Sequence, residues 1–135
     1  MTPTTPAARI LVIDDNPHVV DILRSYLREE GYGVIGALTS DEGLKLAILS
    51  RPELVLLDIA LPGTNGIELL KRIRSINPTS RVIMVTGNID PALARKALEL
   101  GALAYIDKPF DLAYLKRVIA MALREGVGQS RVISS

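Results

Sequence analysis

The sequence predicts an α/β domain in which a parallel sheet carries helices on both faces. Three observations support this. Five short aliphatic runs alternate with segments of helical period. Most of the runs are continuously apolar, as strands covered on both faces are. Residues that start and stop helices stand at the junctions. The runs cover residues 10–13, 32–37, 54–57, 82–85 and 104–106. The second is the weakest, because Gly33 and Gly36 dilute it, and it reads as an edge strand.

The helical segments follow in order. Asn16 is placed to cap a first helix with Pro17 at its first position, where a missing N–H costs nothing. Val19, Val20, Leu23, Tyr26 and Leu27 then fall on one face, and Gly31 supplies the stop. Ser40 or Asp41 opens a second helix carrying Leu44, Ala47 and Ile48, which ends before Pro52. After a turn at Pro62–Gly63, a third helix follows Asn65–Gly66, with Ile67, Leu70 and Ile73 facing inward. Gly66 itself reads as a tight loop-to-helix turn. Pro91 opens an Ala-rich fourth helix that stops at Gly101. Asp111 caps a fifth, with Leu115, Val118, Ile119 and Ala122 on its buried side. Residues 1–8 are rich in Pro and Thr and read as disordered; residues 126–135 lack any period and read as a tail or the start of a linker.

Composition narrows the function. The chain has 135 residues, 48% hydrophobic and 23% charged, which is enough to bury one aliphatic core. With no cysteine there is no disulfide scaffold, thiol nucleophile or cysteine-ligated metal. No signal-peptide pattern opens the chain and no apolar run is long enough to span a bilayer, so the expected location is cytoplasmic. Net charge is +1 with acidic and basic residues interspersed, unlike the basic stripe of a nucleic-acid surface.

The polar residues that end the runs carry the chemistry. Asp14–Asp15 follow the first run, Asp58 the third, Thr86–Gly87 the fourth and Asp107–Lys108–Pro109 the fifth. In an open parallel sheet the carboxyl ends of the strands share one edge, and ligands bind there. Three carboxylates, a hydroxyl and an ammonium are therefore expected to converge. Crowded carboxylates repel one another. A hard divalent cation such as Mg²⁺ relieves that repulsion, since it takes oxygen ligands from one or two carboxylates and a phosphate. One carboxylate is then free to act as a nucleophile toward phosphorus, giving an aspartyl-phosphate. Lys108 offers positive charge, and Thr86 a donor, to the phosphoryl oxygens.

These residues, together with the stretch from Leu54 to Gly63, resemble the response-regulator receiver family of two-component signalling, over roughly Arg9 to Glu125. The resemblance implies a single doubly wound (βα)5 flavodoxin-like domain with strand order 2-1-3-4-5. It implies that Asp58 is the phosphoacceptor, supplied by a sensor histidine kinase or phosphotransfer protein. Asp14, Asp15, Asp58 and the backbone carbonyl of Ala60 would hold Mg²⁺. Lys108 would pair with the phosphoryl group, and the bond before Pro109 would be cis. Thr86 and Tyr105 would couple phosphorylation to the face formed by the fourth helix, fifth strand and fifth helix, where a homodimer could form through Arg95, Asp107, Lys116 and Arg117. Ala60 and Asn88 occupy positions that set the lifetime of the phosphoryl group. The resemblance also implies a signalling receiver that catalyses only its own phosphorylation and dephosphorylation, and so not an enzyme in the usual sense. Any contact with DNA would fall to a separate effector domain.

Two other readings stay open on residues alone. A small aspartate-dependent phosphatase would place its nucleophile in Asp14–Asp15, and a receiver-like fold could serve as a non-phosphorylated interaction module. Cofactor carriers and dinucleotide binders are disfavoured, since an acidic loop without a Gly-rich fingerprint follows the first run. His18, the sole histidine, reads as an exposed helix residue.

Overall fold

The computed structural model describes residues 7–61, 64–87 and 90–124. Five β-α units succeed one another. They are β1 (Arg9–Ile13), α1 (Pro17–Glu29), β2 (Gly33–Ala37), α2 (Ser40–Ser50), β3 (Leu54–Leu57), α3 (Gly66–Ile76), β4 (Arg81–Thr86), α4 (Pro91–Glu99), β5 (Ala104–Asp107) and α5 (Leu112–Arg124). The five strands are parallel in the order β2-β1-β3-β4-β5, as expected, and the Gly-diluted β2 is indeed an edge. A two-residue antiparallel ladder, Ala60–Leu61 with Thr64–Asn65, precedes α3. Elements that short have no period to read, so no residue pattern announces this ladder.

Alternation along the buried strands divides the core in two. Ile10, Val12, Leu54, Leu56, Ile83 and Ile106 pack with Leu23 and Leu27 of α1 and Leu115 and Ile119 of α5. Leu11, Ile13, Val55, Leu57 and Met84 face the other way, against Ala47 of α2, Leu70 and Ile73 of α3 and Ala97 of α4. Helices thus cover both faces of the sheet, and among the described residues none is long and apolar enough to cross a membrane.

Capping explains where the helices begin. Side-chain oxygens of Asn16, Asn65, Asp90 and Asp111 accept from the backbone N–H two residues on, at 2.8–2.9 Å. The second helix departs from expectation: Ser40 is its first residue, but Thr39 caps it, accepting from the Glu42 N–H at 3.1 Å. A run of four polar residues at 39–42 offered several candidates, and only the extended backbone of Thr39 selects it. Gly31 and Gly101 end α1 and α4 with φ of 99° and 105°, where a side chain would be strained. Ile48, on α2, is exposed.

The expected turn at Pro62–Gly63, the position of Asn88 and the terminal segments at 1–6 and 125–135 lie outside the described residues. The Ala8 carbonyl, just before β1, accepts from the Gly33 N–H at the start of β2.

Candidate functional site

The carboxyl ends of β1, β3, β4 and β5 bring Asp14, Asp58, Thr86 and Lys108 to one edge of the sheet. Asp14 follows β1 directly, and its N–H donates to the Ala37 carbonyl at the end of β2. Asp58 follows β3, and its N–H donates to the Ile13 carbonyl of β1. Ladder bonds thus continue one residue past the strands and fix both backbones. Thr86 is the last residue of β4, fully buried, and its carbonyl accepts from the Lys108 N–H at 2.9 Å. The Lys108–Pro109 peptide bond is cis.

The side chains meet above that frame. Lys108 Nζ donates to Asp14 Oδ2 at 2.5 Å and to Asp58 Oδ2 at 3.1 Å. To do so it crosses from β5 past β4 to β3 and β1, a reach that the flexible four-carbon stem of lysine allows. The remaining oxygens have backbone donors: Asn16 N–H to Asp14 Oδ1 at 2.9 Å, and Ala60 N–H to Asp58 Oδ1 at 3.0 Å. Asp14 and Asp58 are only 3% and 5% exposed, whereas Asp15 is open to solvent. One oxygen from each of Asp14, Asp15 and Asp58 can be chosen so that all three lie within 4.8 Å of one another.

The electrostatics follow from this crowding. Burial pushes the Asp14 carboxyl above its ordinary value of 3.8, outweighing the Lys108 bond and the Asn16 N–H, and the Asp58 charge adds to the rise. Burial alone would lower the Lys108 ammonium, but bonds and charges from Asp14 and then Asp58 hold it above 10.5. Three carboxylates against one ammonium leave an excess of negative charge at the edge. The donors are hard oxygens, and neither cysteine nor histidine is among them, so the set fits a hard divalent cation.

Tyr105 lies on β5 as the register partner of Met84 on β4. Met84 and Thr86 share a face of β4, so Thr86 and Tyr105 stand diagonally on neighbouring strands. The half-buried Tyr105 hydroxyl is pushed up, first by burial and then by the charges of Asp107, Asp90 and Asp58. Elsewhere, Lys116 pairs with Glu30 at the end of α1 at 2.9 Å, and Arg117 lies 5.9 Å from the ring centroid of Tyr114. His18 is exposed.

Two contributions escaped sequence reasoning. The backbone donors of Asn16 and Ala60 are anonymous in sequence, although an Asp bonding two residues ahead is a recurrent local habit. The close seating of Gly66 against the Asp58 backbone was also missed.

Comparison with known proteins agrees with this fold. Residues 10–120 match the family model described as response regulator receiver domain. The chain is 35% identical over 111 residues to sporulation initiation phosphotransferase F of Bacillus subtilis, covering 82% of this chain and 90% of that protein. It superposes with a TM-score of 0.85 on a CheY-like response regulator receiver domain protein from Methanospirillum hungatei, at 37% identity, covering 87% of this chain and 94% of that one. A response regulator from Burkholderia pseudomallei, crystallised with a phosphorylated aspartic acid, calcium ion and citrate, gives a TM-score of 0.78 at 32% identity, over 87% of this chain and 66% of that one. Other matches are longer transcriptional regulatory proteins, and this chain spans 43% and 51% of two of them.

Proposed function

Since the chain belongs to the response regulator receiver domain family of two-component signalling, we propose that it is a switch operated by a phosphoryl group on Asp58. The observation that carries this reading is the convergence of Asp14, Asp15, Asp58 and Lys108, with Lys108 Nζ 3.1 Å from Asp58 Oδ2. A donor of the phosphohistidine class, on a sensor kinase or phosphotransfer protein, supplies the phosphoryl group.

Each residue has a task. Asp58 Oδ2 attacks phosphorus, the bond from phosphorus to the donor nitrogen breaks, and its electron pair leaves with the imidazole. The Ala60 N–H holds Oδ1 and so orients the carboxylate for in-line attack. Lys108 turns from the carboxylates to the phosphoryl oxygens, and the buried Thr86 hydroxyl offers a further donor. Asp14, Asp15, Asp58 and the Ala60 carbonyl would hold Mg²⁺, which would neutralise charge on the crowded carboxylates and the phosphoryl oxygens. The output is a population shift: Thr86 draws toward the phosphoryl group, Tyr105 repacks, and the face formed by α4, β5 and α5 changes its affinity for a partner, a second copy included. The domain acts in the cytoplasm, on no free pool of substrate, and DNA is reached only through a separate effector domain.

The test is phosphotransfer from a labelled histidine-kinase domain to the native chain and to Asp58→Asn. Label that moves to the native chain as a hydroxylamine-sensitive acyl phosphate, and not to the variant, supports the reading. Label retained in Asp58→Asn but lost in Asp14→Asn would transfer the nucleophile's role to Asp14 and favour an aspartate-dependent phosphatase.

A further inference from the structure

Gly66, the first residue of α3, lies against the backbone of the candidate phosphoacceptor. A Cβ built there would stand 2.5 Å from Ile59 Cα, 2.6 Å from the Asp58 carbonyl oxygen and 2.9 Å from the Ile59 carbonyl oxygen. Carbon atoms do not approach backbone atoms this closely, and none of the three is the tip of a side chain that could swing away. The Gly66 N–H also donates to the Ile59 carbonyl at 3.0 Å, and the preceding residue, Asn65, pairs with Ala60 across the short ladder. On its other side the Asp58 N–H is tied to Ile13 of β1. The segment 58–60 is thus held between β1 and the start of α3, and Ala60 in turn holds Asp58 Oδ1.

We propose that Gly66 is a positioning residue: its lack of a side chain lets α3 seat on residues 58–59 and so sets where the Asp58 carboxylate stands relative to Asp14 and Lys108. The inference rests on the proposed role of Asp58 and adds a requirement on a residue that touches neither phosphorus nor metal. A methyl group at 66 must force the start of α3 and the 58–60 backbone apart, which disturbs the segment that carries Asp58 and Ala60. A displacement near an ångström at a reacting group lowers rates by about a hundredfold. Disturbing the support of a ligand lowers metal affinity by about ten- to a hundredfold.

Gly36 provides the comparison. A Cβ there would stand 2.4 Å from Val20 Cγ1, an equally tight overlap, but on the edge strand and against a side chain. The experiment measures Mg²⁺ affinity by calorimetry, the dependence of phosphorylation on acetyl phosphate concentration, and thermal stability, for the native chain, Gly66→Ala and Gly36→Ala. Trimethylamine N-oxide is added to every sample so that each variant is folded. The expected result is that Gly66→Ala loses Mg²⁺ affinity and maximal phosphorylation rate by those factors, whereas Gly36→Ala loses stability alone. Native Mg²⁺ affinity in folded Gly66→Ala, or an equal loss in Gly36→Ala, would overturn the inference, as would a Gly66→Ala chain that the osmolyte cannot fold. A native chain that binds Mg²⁺ but takes up no phosphoryl group would count against the function proposed for Asp58, while the affinity ratio would still decide the role of Gly66.

Discussion

Lys108 Nζ lies 3.1 Å from Asp58 Oδ2, joining residues that are fifty apart in sequence and on strands separated by β4. The same ammonium binds Asp14, so a single cation holds two buried carboxylates. Removing it leaves each with its backbone donor alone. Lys108→Ala is expected to lower metal-free stability by about 1–3 kcal/mol, because two buried carboxylates lose their shared charged partner. Urea unfolding without Mg²⁺ measures the loss, and Mg²⁺ is expected to restore part of it.

Asp14 makes the opposite prediction. Its carboxyl is pushed up by burial, so the folded state binds its proton more tightly than the unfolded state does. The stability this confers is fully present below the unfolded value of 3.8 and is lost as pH rises through the raised folded value. Above that raised value the metal-free fold therefore carries the cost of a buried negative charge. Asp14→Asn is expected to raise the metal-free melting temperature there by a few degrees and to remove the share of its pH dependence that Asp14 contributes. Thermal scans on either side of that value check both.

Cation binding should offset the same charge excess. At Mg²⁺ a hundredfold above its dissociation constant, the native chain is expected to gain about 2.7 kcal/mol. Asp14→Asn and Asp15→Asn should each lose most of that gain, since each removes an oxygen from the set within 4.8 Å. Melting curves with and without Mg²⁺ report it.

Thr86 and Tyr105 should be separable from the chemistry. In the proposed switch the Thr86 hydroxyl donates to the phosphoryl group and is not the nucleophile, so Thr86→Ala should still be phosphorylated on Asp58. The Tyr105 amide and ring resonances, which should move on phosphorylation of the native chain, are expected to stay in place in that variant.

The core sets a scale for all of these. Leu56 is on the central strand β3 and is 1% exposed, so Leu56→Ala should cost about 2–5 kcal/mol. Leu49, 70% exposed on α2, should tolerate alanine with a change within about 0.5 kcal/mol. Denaturant midpoints of the two variants test the assignment of inside and outside.

Much of this was legible in the chain because local and global preferences agree. Continuous apolar runs marked strands buried on both faces, and Asn16, Pro17, Gly31, Gly101 and Asp111 marked helix ends by mechanisms that act within a few residues. The strand ends pointed to the site because a parallel sheet gathers them at one edge. What stayed hidden depends on distant neighbours. Nothing in the pair Asp14–Asp15 says that the first is buried and the second exposed. Ile48 sits at a helical spacing that suits a core residue, yet it faces out. Gly66 looked like a turn residue, and only the approach of the Asp58 backbone shows what its missing side chain leaves room for.

Asp58 is proposed to take the phosphoryl group at a cation-dependent site. Intact-mass analysis after incubation with acetyl phosphate and Mg²⁺ tests it most directly, on the native chain and on Asp58→Asn. The native chain is expected to gain one phosphoryl group, a gain that is abolished by chelating Mg²⁺ and absent from the variant. A gain that persists in Asp58→Asn, or one indifferent to chelation, would contradict it.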